Sequence, residues 1–245
     1  MKVSVNETLG AMVSRNYQAA DVFEKYHLDF CCRGGRTLEE ACTDEDILAN
    51  VLAALQELPD SNRTESANVN VADWPPDLLV DYIEKKHHRY VEEAIPLLKG
   101  YLEKIVAVHG RNHPELMEIF QLFESSAGAL AQHMKKEEFI LFPYVRKLIQ
   151  QKGRGEQSGF GSVANPIRVM MNEHSDEGER FEKIRALSND YTPPSDACTT
   201  YRVAFAKLNE FEKDLHRHIH LENNILFPQT ELLEKNMQNA RDRIV

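Results

Sequence analysis

The histidines and glutamates of one repeated pattern are the residues of this chain best suited to chemistry. The pattern reads H-x-x-x-E-x-x-x-x-F-P, and its two copies begin 85 residues apart, at His133 and His218. Each copy places a glutamate, Glu137 or Glu222, four residues after its histidine. Residues four apart share one face of an α-helix, so each copy predicts an imidazole beside a carboxylate. Such a pair of donors suits a metal ion.

A further histidine precedes each copy of the pattern at a similar distance. His87 lies 46 residues before His133, and His174 lies 44 residues before His218. This spacing is an internal repeat. Its unit is predicted to be a helical hairpin that supplies one histidine from its first helix and a histidine with a glutamate from its second.

Four amphipathic stretches must position these residues. Their apolar side chains recur every three or four residues from Leu79 to Tyr101, from Phe123 to Leu148, from Ile167 to Ile184 and from Phe205 to Leu226. That period is typical of helices that bury one face, and no stretch alternates with the period of a strand. The sequence therefore predicts an all-α fold with a four-helix bundle.

All six candidate ligands fall on the apolar stripe of their helices. They are His87, His133, Glu137, His174, His218 and Glu222. A buried polar group without a partner costs about 1 to 3 kcal/mol, so all six need partners. A buried network of histidine-carboxylate hydrogen bonds is one solution. A metal centre satisfies all six at once, and their two-fold repeat favours it.

The other histidines are predicted not to bind metal. Those assigned to solvated helix faces are His88, His216 and His220, and those assigned to helix ends or loops are His27, His109 and His113. Glu138 and Glu173 stand beside predicted ligands, where they either orient the imidazoles or are ordinary surface carboxylates.

The number of donors indicates two metal ions. Four imidazoles and two carboxylates exceed the needs of one tetrahedral zinc, whereas two octahedral ions bridged by both carboxylates and a water-derived oxygen use them fully. Nitrogen donors dominate, unlike in glutamate-rich ferritin-type bundles. The donor chemistry ranks iron first and leaves manganese and zinc open.

The chain is predicted to have two domains. Residues 1–58 form a small helical domain that contains Cys31 and Cys32, residues 59–74 a polar linker, and residues 75–245 the bundle. About 50 residues are marginal for independent stability, so dimerisation through the small domain is expected. The glycine-rich stretch 153–161 lacks a Walker pattern and is predicted to be a flexible crossing loop.

Composition narrows the classes of function. The net charge of −10 gives no general attraction to nucleic acid or anionic lipid. Because the sequence shows no export signal and no apolar span, a cytoplasmic protein is expected. Four cysteines are too few for a disulfide framework in a chain of 245 residues. Cys42 and Cys198 are predicted to be packing residues.

Several segments together resemble one known family. They are Tyr26–Gly35, His133–Pro143, Met171–His174, Thr192–Pro194, Ala197–Thr200 and His218–Pro228. Across nearly the whole chain, these segments are similar to the iron-sulfur cluster repair proteins of the RIC or YtfE type. Two features depart from that family's pattern. Adjacent His87 and His88 make the match in the first helix loose, and Ala129 stands where some relatives carry an inward glutamate.

The resemblance implies a hemerythrin-like four-helix bundle, preceded by a small helical domain, that holds a non-haem di-iron centre. The implied terminal ligands are His87, His133, His174 and His218, with Glu137, Glu222 and an oxo or hydroxo group as bridges. The implied role is repair of iron-sulfur clusters damaged by nitric oxide or oxidative stress. Labile iron would be supplied to damaged iron-sulfur proteins, nitric oxide would be processed at the centre, or both, and whether this includes enzymatic nitric oxide reduction stays open.

Cys31 and Cys32 are the candidate catalytic residues. As a thiol pair they would meet the damaged cluster, accept a nitrosyl group or deliver to the bundle, and the cations Lys25, Arg33 and Arg36 would favour thiolates. The alternative is a pair of half-buried thiols that stabilises a turn. Two other functions also remain, a hemerythrin-like carrier or sensor of oxygen or nitric oxide and a metal-free helical interaction protein. A pure carrier needs no thiol pair, so the pair favours repair.

Overall fold

The fold is all-α, as predicted. The computed structural model describes residues 3–59, 71–151 and 159–242, and within these ranges it contains helices and no strand. The predicted linker therefore lies partly outside the described residues, at 60–70, and so does the segment 152–158 of the predicted crossing loop. No helix in the described ranges is long and apolar enough to cross a membrane.

The described α-helices are numbered in chain order. They are α1 Leu9–Arg15, α2 Ala19–Lys25, α3 Leu38–Ala41, α4 Glu45–Glu57, α5 Pro76–Tyr82, α6 Arg89–His109, α7 Glu115–Lys136, α8 Phe142–Gln151, α9 Ala164–Leu187, α10 Thr199–Leu221 and α11 Phe227–Asp242. A 3₁₀ turn spans Val71–Asp73. The chain divides into two compact units, a terminal unit of Met1–Val80 with His216–Val245 and a central unit of Asp81–Leu215. The domain boundaries at 58 and 75 stay a prediction.

Phe211 of α10 lies at the centre of the central unit's core. Its ring centroid lies 6.1 Å from that of Tyr90 on α6, 5.5 Å from that of Phe123 on α7 and 5.6 Å from that of Phe181 on α9. Aromatic side chains from α6, α7 and α9 thus pack against Phe211 of the fourth helix, α10. This packing confirms the predicted four-helix bundle.

We expect Phe211→Ala to destabilise the protein strongly. Deleting a fully buried phenylalanine leaves a cavity and costs about 3 to 5 kcal/mol. Phe139→Ala is the matched control, because Phe139 is 75% exposed and its removal should change the free energy of unfolding by less than about 0.5 kcal/mol. Chemical denaturation measures both, and equal losses would contradict this account of the core.

The terminal unit has its own small core. Leu9 and Met12 of α1, Phe23 of α2 and Leu55 of α4 are fully buried. The start of α3 carries a capping box. The Thr37 hydroxyl accepts the Glu40 backbone N–H at 3.2 Å, and the Glu40 carboxylate accepts the Thr37 backbone N–H at 2.8 Å. This cap fixes where the chain turns after the thiol loop.

Three short π-helices interrupt the α-helical pattern in the described ranges. They span Ile83–His88, Glu137–Leu141 and Glu222–Leu226. The i→i+5 bonding of a π turn adds one residue to the turn and rotates all later positions on the helix. The positions four and five residues after Ile83, His87 and His88, are both buried in this wider turn and face different partners. Each π-helix contains a candidate ligand, and the sequence analysis predicted none of the three.

Candidate metal centre

Glu137 and three histidines form a buried cluster in the central unit. Glu137 is 0% exposed. One ligand atom from each of His133, Glu137 and His174 lies within 4.8 Å of the other two. The two Nε2 atoms of His133 and His174 converge to 3.0 Å, and His133 Nε2 lies 3.4 Å from Glu137 Oε2. Imidazole nitrogens that converge beside a carboxylate are arranged as metal ligands are.

His88 is the third histidine of this cluster, and the prediction that it is a solvated surface residue is wrong. Its side chain is 1% exposed, and its Nε2 lies 3.3 Å from Glu137 Oε2. Its ring stacks on Phe142 at 5.6 Å. The π turn supplies the physical reason, because it brings residue 88 to the inner face.

His87 is buried but faces a different partner. Its Nδ1 lies 3.0 Å from Asp214 Oδ2, and its ring packs edge-on against Tyr82 at 5.5 Å. Among the described residues, the groups of side chains that could hold a metal include His88 and not His87. These contacts favour His88 over His87 as a metal ligand.

Carboxylates behind the cluster orient its imidazoles. His88 Nδ1 lies 2.7 Å from Glu138 Oε1, and His133 Nδ1 lies 2.9 Å from Glu173 Oε2. With Nδ1 engaged, each ring turns Nε2 toward Glu137, which is the usual arrangement behind metal-bound histidines. These contacts favour the orienting role of Glu138 and Glu173 over that of plain surface carboxylates.

Glu173 is held as an anion. Partial burial raises the pKa of its carboxyl group, but hydrogen bonds from Lys136 and His133 lower the pKa by more, so that it lies below its ordinary value. A charged Glu173 strengthens the hydrogen bond from His133 Nδ1 and favours the tautomer with the proton on Nδ1, which directs the Nε2 lone pair toward the cluster.

His218 and Glu222 form the corresponding pair in the terminal unit. His218 Nε2 lies 3.0 Å from Glu222 Oε1, and both side chains are buried. Glu222 is the first residue of its π-helix, as Glu137 is of its own. The four-residue spacing thus gives equivalent histidine-glutamate pairs in both copies of the repeat.

His220 was predicted to be a solvated surface residue, and that prediction is also wrong. Its side chain is 4% exposed, and its ring lies edge-on to Phe30 at 5.8 Å. Burial lowers the pKa of His220 to about 4, so the ring is neutral at pH 7.

His216 is half-buried and also contacts the Phe30 ring, at 6.1 Å. His27 is exposed as predicted, whereas His109 and His113 are half-buried.

Cys31 and Cys32 lie together in a loop of the terminal unit. Their Sγ atoms are 3.8 Å apart, and Asp29 Oδ1 accepts the backbone N–H groups of Cys31 at 3.1 Å and Cys32 at 2.9 Å. Cys31 is 3% exposed, whereas Cys32 is half-exposed. One ligand atom from each of Asp29, Cys31 and Cys32 lies within 4.8 Å of the others.

The cations near this loop do not make Cys31 a thiolate. The hydrogen bond with Cys32, burial and the charge of Asp29 raise its pKa well above the ordinary value. The prediction that Lys25, Arg33 and Arg36 favour a thiolate is therefore wrong for Cys31, which is a protonated thiol at pH 7.

The two remaining cysteines differ. Cys42 is buried, as predicted for a packing residue, and burial raises its pKa. Cys198 is exposed, so the same prediction is wrong for it. It directly precedes α10, where hydrogen bonds from the Tyr201 backbone N–H and the His109 side chain lower its pKa to about 7. A cysteine at a helix start is a sequence signal for such a shift, whereas the His109 contact depends on the fold.

We expect Cys198 to be the fastest-reacting cysteine near neutral pH. Deprotonation produces the reactive thiolate, so its alkylation rate should rise with pH and reach half its plateau at about pH 7. Site-resolved iodoacetamide labelling measures this rate, with Cys198→Ser as the control that removes the fast phase. A midpoint near that of a free thiol, at about pH 8.5, would contradict the assignment.

Comparison with known proteins assigns both parts of the chain. The Hemerythrin HHE cation binding domain matches residues 79–230, and a domain of unknown function, DUF542, matches residues 5–59. The first range contains all six ligands predicted from the sequence together with His88, and the second contains Asp29, Cys31 and Cys32.

Relatives of known name match nearly the whole chain. The iron-sulfur cluster repair protein ScdA of Staphylococcus haemolyticus is 34% identical over 210 residues, which are 85% of this chain and 90% of the relative. The iron-sulfur cluster repair protein YtfE of Yersinia pseudotuberculosis is 37% identical over 231 residues, 91% of this chain and 96% of the relative. The YtfE protein of Dickeya chrysanthemi is 36% identical over 232 residues, with the same two coverages.

Proposed function

Because the chain belongs to the family of iron-sulfur cluster repair proteins with a hemerythrin HHE domain, we propose that it restores iron-sulfur clusters damaged by nitric oxide or oxidative stress. The observation that carries the proposal is the extent of the likeness. It includes both the domain with the candidate metal ligands and the domain with the thiol pair, at 34% to 37% identity to proteins named for this repair.

The hemerythrin domain implies a non-haem di-iron site, and we propose its ligands. They are His88, His133, His174 and His218 as terminal ligands, with Glu137, Glu222 and an oxo or hydroxo group as bridges. The donor set of the central unit supports this assignment, because buried imidazoles and a carboxylate converge there within 4.8 Å. The His218-Glu222 pair supports it as well, since it repeats the His133-Glu137 pair and falls within the same family match. When bound, the iron pair would supply labile iron and a binding position for nitric oxide or oxygen.

The chain's own residues hold this proposed site in a form that allows iron to leave. Glu138 and Glu173 keep the Nε2 atoms of His88 and His133 turned toward Glu137. Six protein ligands shared between two ions leave several positions to exchangeable ligands, a property that favours release over permanent storage.

We propose that the thiol pair contacts the damaged client. Cys32 is half-exposed and is the member that a client reaches, whereas Cys31 lies behind it as a buried, protonated thiol. The likeness of residues 5–59 to a separate domain supports a function for this segment beyond packing.

A repair assay tests the proposal. Iron-loaded protein should restore activity to an iron-sulfur enzyme inactivated by nitric oxide, and Cys31→Ser/Cys32→Ser should lose most of that rescue. Cys42→Ser is the matched control, because Cys42 lies in the same unit outside the thiol loop. Equal rescue by free ferrous iron at the same concentration would argue against a dedicated repair role. Reversible oxygen binding untouched by the double substitution would favour the carrier instead.

Nitric oxide reduction, dimerisation and the cytoplasmic location stay predictions of the same hypothesis. The alternative of a carrier or sensor receives no support from the relatives above, which are named for repair.

A further inference from the structure

The carboxamide of Asn224 holds the backbone of the thiol loop. Its Nδ2 donates to the carbonyl oxygens of Phe30 and Cys31, each at 3.3 Å, and lies 3.1 Å from His220 Nδ1. The neighbouring Asn223 also donates to the Cys31 carbonyl at 3.3 Å. All these residues belong to the terminal unit. The loop carbonyls are therefore bound by side chains almost two hundred residues later in the chain.

Two glycines make the room that this carboxamide occupies. A Cβ added at Gly10 would lie 2.5 Å from Asn224 Oδ1, and one added at Gly34 would lie 2.8 Å from the same atom. The Gly34 Cβ would also meet the Phe30 carbonyl oxygen at 2.3 Å. The backbone N–H of Gly10 donates to the Gly34 carbonyl at 2.8 Å. This hydrogen bond holds the two glycines together beside the carboxamide. A larger residue at Gly10 would displace the Asn224 carboxamide, whereas one at Gly34 would first meet the Phe30 carbonyl of the loop itself.

A hydrogen-bond chain orients His220 behind the carboxamide. The Ser14 hydroxyl donates to the Gly10 carbonyl at 2.8 Å, so its oxygen is free to accept from His220 Nε2 at 3.5 Å. When His220 carries its proton on Nε2, its Nδ1 can accept from Asn224, whose two N–H groups are then shared among this nitrogen and the Phe30 and Cys31 carbonyls. The amide orientation is thus set from both sides, with its nitrogen toward the loop.

We propose that Asn224 is a positioning residue for the thiol pair, which fixes Cys31 and Cys32 relative to the π turn that begins at Glu222. Asn224 lies two residues after Glu222 in that turn. One short segment therefore carries both a candidate metal ligand and the side chain that donates hydrogen bonds to the loop. Whether this positioning matters for function rests on the proposed repair function. The positioning itself can be tested without that proposal, because it is a property of the folded terminal unit.

The direct test measures how fast each cysteine of the full-length, iron-loaded protein is alkylated, with each site resolved by mass spectrometry from pH 7 to pH 10. Asn224→Ala removes hydrogen bonds to the loop and should speed alkylation of Cys31 roughly tenfold, because the loop opens more often. Asn224→Asp keeps the shape but replaces the donor with an oxygen that repels both carbonyls, and it should act in the same direction. The rate at Cys198 should not change in either variant.

Two matched controls separate positioning from a general loss of stability. Asn16 is a buried asparagine of the same unit whose carboxamide donates instead to the Pro59 carbonyl at 3.1 Å, so Asn16→Ala should leave Cys31 slow. Gly10→Ala should speed Cys31 as Asn224→Ala does, because its Cβ would lie 2.5 Å from Asn224 Oδ1, whereas Gly35→Ala should not, because a Cβ at Gly35 meets nothing within 4 Å.

The proposal is overturned if Asn224→Ala accelerates Cys31 no more than Asn16→Ala, or if Gly10→Ala and Gly35→Ala behave alike. These outcomes differ from failure of the proposed function. If Cys31→Ser/Cys32→Ser repairs as well as the unchanged protein, the thiols have no part in repair, yet the alkylation rates still decide whether Asn224 positions them.

Discussion

Glu137→Ala should lose essentially all bound iron, the largest single effect that we expect. Glu137 is fully buried, with His88 Nε2 at 3.3 Å and His133 Nε2 at 3.4 Å from the same carboxylate oxygen. If Glu137 bridges two metal ions as proposed, its removal would take a ligand from both ions at once. Iron per chain, measured by elemental analysis after gel filtration, reports the loss.

Glu138→Gln is the matched control for Glu137→Ala. Glu138 is the next residue in the chain and contacts His88 only at Nδ1, at 2.7 Å. Loss of an orienting carboxylate behind a ligand typically weakens metal affinity by about ten- to a hundred-fold, so this variant should bind iron more weakly but still load. If Glu137→Ala kept its iron while Glu138→Gln lost it, the two roles would be exchanged.

His88→Ala should impair iron loading far more than His87→Ala. Both side chains are buried, but His88 Nε2 faces Glu137, whereas His87 Nδ1 is engaged by Asp214 at 3.0 Å. We expect His87→Ala to lower stability by about 1 to 3 kcal/mol through the lost buried hydrogen bond while iron still binds. Iron content and the thermal unfolding midpoint separate the two effects. Loss of iron in His87→Ala alone would restore the assignment made from the regular helical period.

The choice between the neighbouring residues His87 and His88 depends on a structural feature that a periodic sequence pattern does not predict. The pairs His133-Glu137 and His218-Glu222 were predictable, because a spacing of four brings side chains together within one helix. The choice between His87 and His88 was not, since it depends on a π turn that shifts the register by one residue. A strictly regular period assigned to the first bundle helix selects His87, whereas the contacts in the structure favour His88.

Other misassignments arise from contacts distant in sequence. His220 lies on a polar helix face by its neighbours in the chain, but Phe30 and Ser14 bury it, and Ser14 lies 206 positions away. Cys198 acquires its lowered pKa partly from His109, which belongs to another helix. The sequence predicts the content of each helix face, whereas the folded terminal and central units decide which of those faces meet solvent.

The hydrogen bonds from Asn223 and Asn224 to the thiol loop can form only late in synthesis of the chain. The Cys31 carbonyl and the Asn223 side chain that binds it are separated by 192 positions. At about 5 to 20 residues per second, a ribosome adds that stretch in roughly 10 to 40 s. During that interval the vicinal thiols have emerged but lack the asparagines that will hold their loop. The nascent chain therefore exposes the Cys31 thiol, which the folded terminal unit buries, to solvent and to any oxidant present during that interval.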